Sequence, residues 1–129
     1  MLATIACTGV APAQKRGAAA PGSDVPEAAR SRTNPISSTP EVMEQALDLY
    51  QKNCFPCHGS SGRGDGPATQ FVKTRPADLT NREEQDRLTD GEIFWRVSEG
   101  KDPMPPFKKK LSEEERWKLV LHVRSLRAR

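Results

Sequence analysis

Apolar side chains recur at helical spacing immediately before the sequence CFPCH, at Met43, Ala46, Leu47 and Tyr50. Steps of i, i+3, i+4 and i+7 place these residues on one face of an α-helix. Thr39 followed by Pro40 is typical of a helix start, because the hydroxyl caps the first turn and proline suits the first helical position. The pattern predicts a first helix that begins at Pro40 and runs into CFPCH.

Two further helices are predicted downstream, each opened by a capping box. Thr89 and Glu92 form the first box, and Gly100 is the expected end of that helix. Ser112 and Glu115 form the second box, ahead of the apolar positions Trp117, Val120, Leu121, Val123 and Leu126. We find no strand-like alternation of apolar and polar residues, so the pattern predicts an all-α domain.

The N-terminal third of the chain has a different composition from the rest. Residues 8–39 are crowded with Ala, Pro, Gly and Ser and show no apolar period. We therefore divide the chain into a flexible, disordered N-terminal tether over residues 1–39 and a folded domain over residues 40–129. No apolar run approaches the ~20 residues that a membrane-spanning helix needs.

The charge distribution argues against nucleic acid as a partner. The chain has 20 Lys and Arg against 17 Asp and Glu, and within residues 40–129 the count is sixteen against fifteen. Acidic and basic residues are interspersed there, whereas a nucleic-acid binder shows a basic stripe with aromatic residues between the charges.

The run Cys54-Phe55-Pro56-Cys57-His58 has the C-x-x-C-H spacing of covalent haem attachment. On a helical turn these three positions share a face, so both thiols can bond haem vinyl groups while the imidazole reaches the iron. A zinc site and a redox dithiol are the alternatives. Zinc prefers four well-separated ligands, for which the chain offers only Cys7 and His122 besides, and the βαβ context of a thioredoxin-like dithiol is absent.

A second axial ligand is expected downstream, and Met104 is the candidate. It lies in the sequence DPMPPF, where three prolines restrict the backbone and so reduce the entropy that the loop loses on binding iron. A soft thioether favours ferrous iron and raises the reduction potential. Met104 as a simple gap filler is one alternative, and the other candidate ligands are His122, Met43 and a lysine of residues 108–110.

From these residues the chain resembles the class I cytochromes c over residues 40–129: a helix entering CFPCH, a Gly-rich loop, MPPF and a closing amphipathic helix. The strings GEIFW, MPPF and LSEEERWKLVLHVRSL are similar to the monohaem cytochrome subunit of bacterial alternative complex III, a quinol-oxidising membrane assembly. The resemblance implies three main helices around one covalent haem c, with crossing N- and C-terminal helices.

Further site residues follow from the resemblance and from donor chemistry. In the family a proline after a glycine supplies a carbonyl that orients the ligating imidazole, and Pro67 stands at that place; the alternative is a residue that only closes a turn. Arg75 and Trp95 are candidate donors to the haem propionates, or else a solvated charge and a packing residue. Lys101 and residues 108–110 flank Met104, where they either steer an acidic partner or form a solvated surface.

The N-terminal sequence bears on location. Haem attaches to C-x-x-C-H after export, yet Met1–Ala6 is too short for a signal peptide and lacks a basic start. We expect a longer signal upstream, with Cys7 as a lipoprotein acylation site; alternatively Cys7 belongs to a signal that is removed. The expected location is the periplasmic, extracytoplasmic side of the bacterial cytoplasmic membrane.

The predicted function is single-electron transfer without substrate chemistry, so the domain alone is not an enzyme. Redox partner proteins, as subunits of a larger membrane complex, are the expected partners, with the membrane reached through Cys7. A freely diffusing carrier of the same fold is the second hypothesis. A haem sensor or catalyst with an open iron position is the third.

Overall fold

A computed structural model describes residues 24–129 and contains six α-helices and one 3-10 helix. The helices are α1 Glu27–Arg30, α2 Pro40–Asn53, α3 Phe55–His58, α4 Arg82–Arg87, α5 Asp90–Glu99 and α6 Glu113–Ser125. The 3-10 helix spans Pro67–Phe71. Within these residues the only β-type pairing is an isolated bridge between Lys101 and Met104. The prediction of an all-α domain is confirmed.

The three helices predicted from sequence correspond to α2, α5 and α6, and their caps form as expected. The Thr39 hydroxyl accepts a hydrogen bond from the Val42 amide at the start of α2. Complete capping boxes open the other two helices, Thr89 with Glu92 in α5 and Ser112 with Glu115 in α6. Each cap satisfies amides that the first helical turn leaves without a partner.

The core lies where α2 crosses α6 and where α5 packs beside them. One cluster of buried residues comprises Tyr50, Val97, Phe107, Leu111 and Leu119. A second comprises Ile93, Phe94, Trp117, Val120 and Val123. Burying side chains of this size contributes ~1.5–3 kcal/mol each, so these two clusters set how the three helices lie against one another.

The predicted tether boundary at residue 39 is wrong, because residues 24–39 pack on the domain. We call this segment the strap. Val25 in the strap is only 5% exposed, and α1 contacts α5. Composition alone misled here, since the strap is held by a few side chains and by backbone carbonyls and not by a periodic apolar face. The prediction for the rest of the tether falls on residues 1–23, outside the described part of the chain.

Within residues 24–129 no helix is long and apolar enough to span a bilayer.

His122, one of the alternative ligands, lies in the α2–α6 contact. It is 7% exposed, and its ring centroid is 4.4 Å from that of Tyr50. Among the described residues its Nε2 has no hydrogen-bond partner. Burial lowers the pKa of His122 because the charged imidazolium loses hydration there. The folded protein therefore holds this ring in its neutral form.

We expect acid to destabilise the fold through His122. The unfolded chain protonates this histidine near its ordinary pKa of about 6.5, whereas the folded protein resists protonation until lower pH. The stabilising contribution is therefore fully present above that value and is lost as pH falls from it towards the folded pKa. Urea unfolding between about pH 8 and pH 5 measures the slope. His122→Gln, which cannot titrate, should show a shallower decline, and equal slopes in both proteins would contradict the prediction.

Candidate haem site

The end of α2 and the short helix α3 present the CFPCH sequence. The Cys54 amide donates to the Tyr50 carbonyl at 2.8 Å and so closes α2. The amides of Cys57 and His58 then donate back to the Cys54 carbonyl at 3.2 Å and 2.8 Å. Cys54, Cys57 and His58 therefore lie on one continuous turn. Both of these cysteines are half-buried and free of disulfide bonds.

The imidazole of His58 is oriented by a backbone carbonyl. Its Nδ1 lies 3.2 Å from the oxygen of Ala77. Burial lowers the pKa of His58 and the Ala77 hydrogen bond opposes that shift. A neutral ring that donates from Nδ1 leaves the Nε2 lone pair available to a metal. The hydrogen bond to the Ala77 carbonyl raises the basicity of Nε2.

The sequence-based prediction assigned this carbonyl to Pro67, and the structure assigns it to Ala77. Pro67 instead begins the 3-10 helix and is exposed. No sequence signal identifies Ala77, because its contribution is a backbone oxygen that any residue type carries. The oxygen reaches His58 only because the segment after the glycine-rich loop returns to α3, where the Leu79 amide donates to the Gly62 carbonyl at 2.7 Å.

The glycine-rich loop after His58 folds back onto α3. The amides of Gly64 and Gly66 donate to the carbonyls of His58 and Cys57 at 2.9 Å and 3.0 Å. Gly66 has no room for a side chain, since an added Cβ would lie 2.4 Å from the carbonyl oxygens of Phe55 and Pro56. The loop is thus packed closely against the CFPCH turn.

Tyr50 anchors the same loop from α2. Its side chain is 1% exposed, and its hydroxyl donates to the Gly59 carbonyl at 2.7 Å. Gly59 adopts φ +77°, a conformation that favours glycine. The apolar spacing of α2 predicts that Tyr50 is buried, but it does not predict that its hydroxyl holds the residue directly after His58.

The environment of Cys54 is apolar. Burial, with a smaller effect of Cys57, raises the pKa of the Cys54 thiol to about 12, and the charge of Lys110 opposes the rise. The unmodified chain therefore carries a neutral thiol at this position. Among residues 24–129 no group of three or more His, Cys, Asp or Glu is arranged to hold a metal ion, so this part of the chain gives no support to the zinc alternative.

Met104 borders the same apolar cluster as Cys54. Both are partly buried residues packed against Tyr50, Val97, Phe107, Leu111 and Leu119. The loop of Met104 is fixed by two backbone hydrogen bonds with Lys101, of 3.0 Å and 2.7 Å. The fold therefore brings a thioether and the CFPCH turn, about fifty residues apart in sequence, to one apolar region.

The remaining predicted site residues lie farther out. Arg75 is exposed and borders an open cleft of about 400 Å³ together with Gly64, Asp65, Thr69, Val72 and Lys73. Trp95 is half-buried on α5. The alternative ligand Met43 lies in α2 and lines the same open surface pocket as Leu121. Cys7 falls outside the described residues.

The lysines near Met104 are exposed, as predicted for a charged surface. They are Lys101, Lys108, Lys109 and Lys110. Lys108 pairs with Glu99 at 3.0 Å, and the Lys110 ammonium lies 5.8 Å from the centre of the Phe107 ring. This surface adjoins the core cluster on which Cys54 and Met104 pack.

The donor set of this region suits a covalently bound haem. Two thiols and an imidazole share one turn, the imidazole has its Nδ1 engaged, and a thioether reaches the same apolar cluster. A haem needs these elements: thiols for its vinyl groups, an axial nitrogen, an axial sulfur and an apolar lining. The residues present therefore fit the group.

Three solved structures contain a chain whose fold is similar to that of this protein. A chain of the Kuenenia stuttgartiensis reducing HAO-like protein complex is 30% identical with a TM-score of 0.62, over 72% of this chain and 47% of that one. The c-type cytochrome KustC0563 is 30% identical with a TM-score of 0.57, over 64% and 96%. Cytochrome c6 from the diatom Phaeodactylum tricornutum is 25% identical with a TM-score of 0.51, over 64% and 91%.

The chain thus spans about half the length of the matching chain in the Kuenenia complex. No curated protein sequence gives a significant match. The family model described as cytochrome c oxidase, cbb3-type, subunit III matches residues 41–123. Since this match covers more than half of the sequence and the fold agrees with that of solved c-type cytochromes, the chain belongs to this cytochrome c family.

Proposed function

We propose that the chain carries one haem c, bound through thioether bonds at Cys54 and Cys57, with His58 and Met104 as the axial ligands of its iron. Membership of the cytochrome c family implies haem-based electron transfer. The observation that supports this ligand set is the convergence of Met104 and the CFPCH turn on one apolar cluster. The haem supplies an iron that alternates between the ferrous and ferric states.

The residues of the chain tune that iron in three ways. Ala77 holds the His58 ring in one orientation and one tautomer through Nδ1. The apolar cluster excludes water, which disfavours the more highly charged ferric state and raises the reduction potential. The Met104 thioether acts in the same direction as a soft ligand. Arg75 and Trp95 are the proposed donors to the haem propionates.

The exposed lysines suit an acidic electron-transfer partner. Lys101 and residues 108–110 place positive charge beside the Met104 loop. Such charge raises the rate of association with an acidic surface, and the effect weakens as salt increases. The proposed mechanism is electron transfer through the haem edge without any bond to a substrate.

We further propose that the protein works at a membrane as part of a respiratory, quinol-oxidising complex, on the extracytoplasmic side. Two observations support this: a similar chain belongs to a protein complex, and Cys7, the expected acylation site, precedes the folded domain in the sequence. A freely diffusing carrier is the second candidate; the match covers 91% of the cytochrome c6 chain, so a domain of this fold occurs as almost a whole chain.

Replacing both attachment cysteines should abolish covalent haem binding. Cys54→Ala with Cys57→Ala leaves His58 as a ligand but removes both thiols, so acidified solvent should extract any haem that binds. The measurement is the mass of the denatured protein matured in a host that attaches haem c. Ser60→Ala, at an exposed position beside the site, is the control and should retain one haem. A double variant with haem still attached would refute the assignment.

Met104→Ala should leave the haem attached but lower its reduction potential, because the iron loses the ligand that favours its ferrous state. Axial ligand identity spans ~0.8 V among haem proteins, so the shift should be readily measured by potentiometric titration. Met43→Ala, a half-buried methionine of α2, is the matched control and should leave the potential unchanged. If Met104→Ala also retains the wild-type potential and spectrum, another ligand binds the iron.

The membrane proposal is tested at the mature N-terminus. We expect mass spectrometry of the protein from its native membrane to find a diacylglycerol-modified Cys7, and Cys7→Ser to shift the protein from the membrane to the soluble fraction. Co-migration with large membrane proteins separates the subunit from the free carrier. An unmodified Cys7, or a mature chain that begins after it, would eliminate the lipid anchor.

A further inference from the structure

The strap, residues 24–39, covers an aromatic face of the domain. The guanidinium carbon of Arg32 lies 4.7 Å from the ring centre of Phe94 and 5.1 Å from that of Trp117. These two rings stack with centroids 3.9 Å apart. The Asn34 side-chain amide donates to the Trp117 carbonyl at 3.0 Å. The strap therefore contacts both α5, through Phe94, and α6, through Trp117.

A notch at Gly91 receives the strap backbone at the start of α5. A Cβ added there would lie 2.1 Å from the Ala29 carbonyl oxygen and about 3 Å from those of Arg30 and Arg32. The Thr89 hydroxyl also donates to the Arg30 carbonyl at 2.7 Å. The first turn of α5 thus binds the end of α1 by direct backbone contact, which only a glycine at position 91 permits.

The beginning of the strap holds the other end of α5. The Arg96 guanidinium donates to both carboxylate oxygens of Asp24 at 3.0 Å, and this hydrogen bonding lowers the pKa of Asp24. Val25, the residue after Asp24, is buried. The strap is therefore attached to the first turn of α5 and to its last.

The loop of Met104 is built on that last turn. The amides of Phe107 and Lys108 donate to the carbonyls of Val97 and Ser98, each at 3.1 Å. Gly100 ends α5 with φ +69°, and a Cβ on it would lie 2.6 Å from the Met104 carbonyl oxygen. Any displacement of α5 consequently displaces Met104.

We propose that the strap is a positioning element for the axial ligand: by clamping both ends of α5, it holds Met104 in place for the iron. This inference rests on the proposed ligation by Met104. The strap lies outside residues 41–123, the part of the chain matched by the family model. A thioether is a weak iron ligand, and its bond persists only if the loop that carries it loses little freedom on binding.

The experiment releases the strap in the full-length holoprotein by Gly91→Ala. Alanine favours a helix more than glycine does, so α5 itself is not weakened, but the new methyl group collides with the strap carbonyls. Trypsin cleavage after Arg30 and Arg32 reports release of the strap. The rate at which imidazole binds to the ferric protein reports displacement of Met104, which must leave the iron first. Glu27→Gln, an exposed strap position with a side chain 84% accessible, is the control.

We expect Gly91→Ala to accelerate both tryptic cleavage and imidazole binding, the latter about tenfold, the change that ~1.4 kcal/mol produces. Asp24→Asn, an exposed change that leaves the core intact, should accelerate imidazole binding by a smaller factor. Glu27→Gln should change neither rate. Faster cleavage of Gly91→Ala with an unchanged imidazole rate would overturn the positioning role, and unchanged cleavage in both test variants would overturn the docking at α5.

Failure of the ligand assignment is recognised in the wild-type protein. If the ferric wild type lacks the long-wavelength charge-transfer band of methionine ligation and binds imidazole as fast as Met104→Ala, Met104 is not the ligand, and the inference falls with it. If the band is present, the variants test the strap alone.

Discussion

The packing of α2 against α6 is the interaction on which the other features depend. Tyr50 of α2 and Leu119 of α6 meet in one buried cluster, and the CFPCH turn follows directly after the end of α2. The position of the CFPCH turn therefore depends first on this helix crossing, and the loops then hold the turn in place. Replacing one large buried side chain at this crossing by alanine would destabilise the fold by ~2–5 kcal/mol.

From that crossing two layers of support reach the site. On one side, Tyr50 and the glycine-rich loop hold the turn that carries His58, and Ala77 orients the imidazole. On the other side, α5 carries the Met104 loop by backbone hydrogen bonds. Few of these supporting contacts are made by side chains. Most are close backbone contacts, which explains why glycines stand at positions where a Cβ would collide.

The strap, which lies outside residues 41–123, is also held partly by close backbone contact. It is held by Arg32 over two rings, by an ion pair between Asp24 and Arg96, and by the notch at Gly91. A segment rich in small and polar residues is thereby ordered without a periodic apolar face. Composition reports only the average polarity of such a segment. It therefore cannot predict the few specific contacts that hold it.

The amino-acid sequence was sufficient to predict the three main helices, their caps and the candidate attachment residues, because apolar spacing, capping boxes and C-x-x-C-H are patterns formed within a few neighbouring residues. The remaining features depend on tertiary contacts: Ala77 and not Pro67 meets His58, the Tyr50 hydroxyl holds Gly59, and residues 24–39 pack on the domain. These features are contacts between segments distant in sequence, several made by backbone carbonyls. A carbonyl carries no residue identity, so only the folded chain reveals which one a donor meets.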